Sequence, residues 1–214
     1  MTATYKQEIE ISSDDEIKNK KDARFSSFHH KLMKEANDIA KNLEYQLDIN
    51  RNTSLFFLKD FLVKDDKQHL LKLATSQSSG IFYNENSTNT RLWQNEAFGK
   101  TYLINLPQIK WKLTSDEKII NGFSCKKATT YKGGDPEKDK VIAWYTTDIA
   151  ANFGPAGYSG LPGLIVQLKI KDKVFTLKEI DDKKKNKIKK PTKGDEIDLN
   201  EYYQLFSRAK GNVR

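Results

Sequence analysis

The feature that most constrains this chain is a two-residue alternation of apolar and polar side chains, repeated in short stretches over most of its length. Leu43, Tyr45, Leu47 and Ile49 alternate with Glu44, Gln46, Asp48 and Asn50. A period of two sends one set to a buried sheet face and the other to solvent. Tyr5 to Ile11, Thr53 to Leu58, Gly80 to Tyr83, Arg91 to Phe98 and Thr101 to Leu106 read as further strands. So do Ile109 to Leu113, Val141 to Thr146, Leu164 to Ile170 and Val174 to Ile180. Asn121-Gly122 is the strongest hairpin signal, because that pair tolerates the positive φ of a tight primed turn. It joins Lys118-Ile119-Ile120 to a strand that runs from Phe123 to Tyr131. No βαβ rhythm of about 30 residues appears, which argues against a parallel sheet.

Helical spacing is confined to two places. Phe25, Phe28, Leu32, Ala36, Ile39 and Leu43 recur every three or four residues, behind a capping-box pattern at Ser13 and Glu16. This predicts a long amphipathic helix from about Asp15 to Asn42. Asp198 and Glu201 repeat the capping pattern before Tyr202, Leu205, Phe206 and Ala209, which predicts a short last helix. Asp65 to Ala74 fits a short helix less clearly. The expected fold is α+β and mainly β: a curved antiparallel sheet, open or half-barrel, with one long N-terminal helix and a short C-terminal helix. Residues 1–182 form the β-rich domain. Residues 183–214, a lysine-rich segment and the last helix, pack on it or extend from it.

Charge and composition exclude several classes. The 214 residues carry a formal net charge of +8. Six of the eight residues from Lys183 to Lys190 are lysines, so much of the excess is one tract. That tract reads as a solvated segment, and no nucleic-acid motif accompanies it. The mean hydropathy is −0.74, and no apolar run approaches the ~20 residues of a membrane span. One cysteine, Cys125, precludes an intramolecular disulfide and any multi-cysteine metal site. Of the three histidines, His29 and His30 stand near Met33 at helical spacing, which is too little for a metal site. No cofactor is indicated.

Two constellations remain. Asn152 to Gly163 holds Gly154, Pro155, Gly157, Gly160, Pro162 and Gly163. Glycine supplies positive φ or close backbone approach and proline fixes φ, so this loop follows one specific path. It is either a strand lead-in or a rigid surface loop that recognises a partner. Trp93, Trp111 and Trp144, with Tyr102 and Tyr145, alternate with polar residues on strands. They belong either to ordinary core or to an apolar groove on the concave face, fit for a lipid-like ligand, a peptide or a partner segment. Cys125, between Phe123 and Lys127, is a nucleophile candidate only if exposed.

The segment Gly160-Leu161-Pro162-Gly163-Leu164-Ile165 resembles the motif of the GLPGLI family of Bacteroidetes-type bacteria. Trp111 to Thr130, the Ala-Trp-Tyr-Thr segment within Val141 to Ile149, Gly154-Pro155 and Ile188 to Gly194 resemble further blocks of that family in the same order. The family's biochemical function is undefined. Its members usually begin with a secretion signal, so the resemblance implies a mature form of a protein exported to the periplasm, the cell envelope or beyond. The expected role is a non-catalytic binding or carrier module. Trp93, Trp111, Trp144 and Tyr145 would line its groove, with Gly160, Leu161, Pro162 and Gly163 at the candidate partner loop. An accessory protein of an outer-membrane or secretion assembly, acting through that loop, is the alternative. A Cys125-dependent enzyme is a second.

Overall fold

The computed structural model describes residues 1–11, 22–132, 139–184 and 186–211. They form twelve strands in one sheet and three α-helices. The first meander comprises β1 (Thr2–Ile9), β2 (Glu44–Asn50), β3 (Thr53–Leu58), β4 (Ile81–Glu85), β5 (Thr90–Ala97) and β6 (Lys100–Asn105). The second comprises β7 (Lys112–Ile120), β8 (Phe123–Tyr131), β9 (Lys140–Thr146), β10 (Leu164–Ile170) and β11 (Lys173–Asp181). Antiparallel pairing of β1 with β11 fuses them. A last strand, β12 (Asp195–Asp198), joins the far edge, so the sheet runs from β12 to β7 without closing.

Two parts of the expected architecture are overturned. The sheet is mixed, because β12 runs parallel to β6, with Ile197 opposite Ile104. Parallel partners need a long connection between them, and the whole second meander lies between these two strands. The long N-terminal helix is also absent. The chain opens on a strand, and the helix that follows, α1, spans Asp22–Ala40, 19 residues. Leu43, read as the last position of the helical stripe, is instead the buried residue leading into β2, after a turn at Lys41 and Asn42. The part of that expectation on residues 12–21, including Ser13 and Glu16, lies outside the described residues.

The lysine tract belongs to a strap. From the end of β11, in the interior of the sheet, the chain crosses to the β6 edge, where β12 begins. Asn186 donates to Asp48 on β2 (2.7 Å), and Ile188 packs on Tyr83, Leu92 and Leu103. Lys183, Lys184, Lys187, Lys189 and Lys190 stay exposed. The capping box forms as expected. Asp198 accepts from the Glu201 amide (2.8 Å) and Glu201 accepts from the Asp198 amide (3.0 Å), opening α3 (Leu199–Gly211).

On the inner face one row of side chains runs straight across the first meander. Ala3 pairs with Leu47, Leu47 with Phe56, Phe56 with Phe82, Phe82 with Trp93 and Trp93 with Ile104. Helices α1 and α2 (Gln68–Ala74) cover the β1 end, burying Met33, Ala36, Ile39, Leu70 and Ala74. A polar network sits beneath them. Gln7 donates to the Ala74 carbonyl (2.7 Å) and accepts from the Tyr45 hydroxyl (2.6 Å), which accepts from Ser78 (2.8 Å). With both amide functions of Gln7 engaged, the network satisfies groups that burial would otherwise make costly.

Candidate functional site

The Gly/Pro loop is an inward plug. It leaves β9 and returns to β10 by way of the inner face, where it packs on β3, β4 and β5. Phe153 bridges Ser159, the Gly160 amide donates to Asn152 O (2.9 Å) and the Ile165 amide to Phe153 O (3.0 Å), so the loop closes on itself. Its side chains Phe153, Pro155, Ala156 and Leu161 are buried. Bonds from the sheet and its neighbours hold it and its junction with β10. Asn86 donates to Asn152 (2.8 Å), Trp111 Nε1 to Ser159 O (2.8 Å), Arg91 Nη2 to Gly157 O (2.9 Å) and the Tyr5 hydroxyl to Ile165 O (2.7 Å). Glycine is required where the plug meets the sheet. A Cβ on Gly163 would stand 1.9 Å from the Thr146 carbonyl oxygen, and Gly157, at φ 73°, would put one 2.8 Å from the Phe82 ring.

The plug fills the row at Phe82 and stops short of Trp93, which is only partly buried. The remaining space is a cleft of about 350 Å³. Phe82 and Trp93 form its floor, stacked at 5.5 Å and 4°. Trp93 is fixed by donating to Ser79 O (2.7 Å) and by the edge contact of its ring with Tyr202 on α3 (5.1 Å). Leu106 and Ile109, from the segment between β6 and β7, make one wall. Leu199 and Tyr203 of α3 make another, and Ala156 and Tyr158 of the plug a third. The volume is at the small end of the range of ordinary ligand pockets.

Cations stand in this apolar setting. Arg91 is only 9% exposed, and its Nη atoms donate to the carbonyls of Pro107 and Gly157. Its Nε has no hydrogen-bond partner among the described residues. Burial pulls the guanidinium down to about 10. Lys132 Nζ donates to the neutral Gln77 amide oxygen (2.6 Å), and burial lowers the ammonium to about 8. The nearby charges of Lys171 and Asp139, ion-paired at 3.6 Å, push Lys132 in opposite directions, down and up respectively. Burial raises the Tyr158 hydroxyl well above its ordinary value, with Arg91 opposing the shift, and raises Tyr203 as well.

Of the residues expected to line a groove, only Trp93 does. Trp111 stands behind the plug, its ring 6.0 Å from Tyr158. Trp144 and Tyr145 are neighbours on β9, so they face opposite sides. Tyr145 is buried core, and Trp144 lies on the outer face beneath Lys118 (4.3 Å) and Lys127 (5.7 Å). Leu161 and Gly163 are buried, while Gly160 and Pro162 are exposed at a bend of the plug. Arg91, Lys132, Tyr158 and Tyr203 were not singled out from the sequence. A signal for Arg91 existed: it sits two residues from Trp93 on one strand, hence on the same inward face.

Other candidates are separate from this cleft. Cys125 is fully buried and burial raises its thiol pKa, which disfavours the nucleophilic thiolate. No group of three His, Cys, Asp or Glu side chains placed to hold a metal occurs among the described residues. No described helix is long and apolar enough to cross a membrane.

No curated protein matches the sequence. Two structures of PNGF-II, in two different space groups, are 16% identical over 97% of this chain, with TM-scores of 0.47 and 0.49. The chain spans about a third of their length, 32% and 33%. A family model described as a protein of unknown function (Porph_ging) matches residues 132–167, which include β9, the plug and the start of β10. Across that segment the chain is similar to a Bacteroidetes-type domain of unknown function.

Proposed function

We propose that this chain is a binding module of the cell envelope or exterior, a GLPGLI-type protein whose small ligand lies in the cleft between the plug, α3 and the segment after β6. The observation that carries this reading is the gap above the inner row at Trp93. Phe82 and Trp93 are stacked as a flat aromatic floor, the plug stops short of Trp93, and about 350 Å³ stays open above it. Toward β1 the same face is covered by α1 and α2, and at Phe82 by the plug. Apolar floor and walls with a few polar groups are the usual make-up of a ligand pocket. The placement outside the cytoplasm rests on the sequence resemblance to an exported family.

The plug supports a structural role for the Gly/Pro loop, since most of its side chains face inward. Titration with the neutral fluorophore N-phenyl-1-naphthylamine tests the binding reading. The wild type is expected to bind it with a blue shift. Ile109→Trp, in a wall segment without regular structure, should fill the cleft and weaken binding roughly tenfold, the effect of about 1.4 kcal/mol. Equal binding by the folded variant, or no binding by the wild type, would sink the proposal.

A further inference from the structure

The charge of the cleft points to the chemistry of its occupant. Among the described residues Arg91, Lys110 and Lys132 line it, and no Asp or Glu does. Arg91 and Lys132 are cations in largely apolar surroundings whose hydrogen bonds, among the described residues, go to neutral oxygens. Arg91 Nε is a buried donor with nothing to donate to among the described residues. A cation withdrawn from water with no ion pair of its own among the described residues is costly, and it is relieved when an anion enters. The aromatic floor and aliphatic walls then ask for an apolar body behind the anionic group.

We propose that the cleft takes a small amphipathic carboxylate, one terminal anionic group on an acyl or aryl body, with Lys132 and Arg91 drawing the carboxylate and Phe82 and Trp93 carrying the body. This rests on the binding reading above and narrows it. Lys132 supplies the movable contact: its ammonium can exchange the Gln77 oxygen for a carboxylate oxygen. Arg91 offers Nε while its other nitrogens keep hold of the Pro107 and Gly157 carbonyls. Lys171 and Asp139, already paired to each other, contribute opposing fields at Lys132.

Isothermal titration with decanoate, decanol and decyltrimethylammonium, which share one chain and differ in head charge, is the test. Decanoate should bind roughly tenfold tighter than decanol, and the ammonium weakest, as expected for a charge-assisted contact. A parallel titration with 2-naphthoate distinguishes an acyl from an aryl body, and tight binding of either acid supports the proposal. Lys132→Met should bring decanoate to the level of decanol while its urea unfolding stays a single cooperative transition, which a loss of fold would not allow. If the wild type binds the neutral fluorophore but takes decanol as tightly as decanoate, the anion inference is overturned and the binding reading stands. If it binds neither the fluorophore nor any decyl ligand, both fall.

Discussion

The plug and the cleft sit side by side on the same inner row, yet they are built on opposite principles. In the plug, loop amides and carbonyls are tied to one another or to the sheet, apolar side chains are buried, and glycines allow contact too close for any Cβ. In the cleft, a stacked Phe82–Trp93 pair is left partly uncovered, and Arg91 and Lys132 stand in largely apolar surroundings with no ion pair of their own among the described residues. The first arrangement maximises packing. The second gives up stability, as expected where a site is kept ready for a ligand. Substitutions should therefore move stability in opposite directions in the two regions.

The largest expected effect is in the plug. Gly163→Ala forces a methyl group against the Thr146 carbonyl and should cost about 3 kcal/mol in urea denaturation, since the clash is with backbone. A loss below about 0.5 kcal/mol, the scale of an ordinary surface change, would show that the plug yields and would break the comparison. Next comes Tyr45→Phe beneath the helices. It removes the hydroxyl between Gln7 and Ser78 and should cost about 1.5 kcal/mol by the same measurement.

In the cleft the sign should reverse. Lys132→Met removes a partly buried charge and keeps the apolar stem, so stability at neutral pH should rise by about 1 kcal/mol. A pH series sharpens this. The folded-state value of Lys132 is lowered from 10.5 to about 8, so between those values the unfolded chain holds more protons than the folded one. The Lys132 contribution therefore makes stability rise with pH through that window, and the Met variant should lack the rise. Buried Tyr5, Tyr45 and Tyr158 act in the opposite sense above about pH 10, where only the unfolded chain loses their protons. The clean window is pH 8 to 10.

The smallest effect belongs to the outer face. Glu44 accepts from Lys59 (2.8 Å), Lys178 (2.9 Å) and Lys6 (3.2 Å), which hold its carboxyl down at about 2. Glu44→Gln should cost only about 0.5 kcal/mol, because solvent screens the cluster. Its stabilising contribution is present above the ordinary value of 4.5 and disappears as pH falls toward 2. A stability curve of the Gln variant that matches the wild type across pH 2 to 4.5 would show that the cluster does nothing.

Much of the fold was legible because strands advertise themselves locally. Alternation located the strand Thr53–Leu58 and the strand Leu164–Ile170 to the residue, and Asn121-Gly122 marked its hairpin, with both residues at positive φ. The strand Asp195–Asp198 escaped because four residues, three of them acidic, show no apolar period. The site was less legible. Trp144 and Tyr145 were grouped in one groove although adjacent strand residues cannot share a face. Arg91 and Lys132 carry no motif. They become a pair only because β5 and the end of β8 arrive at the same cleft.

The sequence alone determined most of the strands, the capped last helix and the requirement that the Gly/Pro segment hold a single path, because these follow from local dihedral preference and side-chain period. Only the tertiary structure decided that this path runs inward as a plug, that the lysine tract straps the sheet to deliver a parallel edge strand, and where the inner face remains open. Those outcomes depend on which distant surfaces meet, and a local period carries no information about a contact between residues a hundred positions apart.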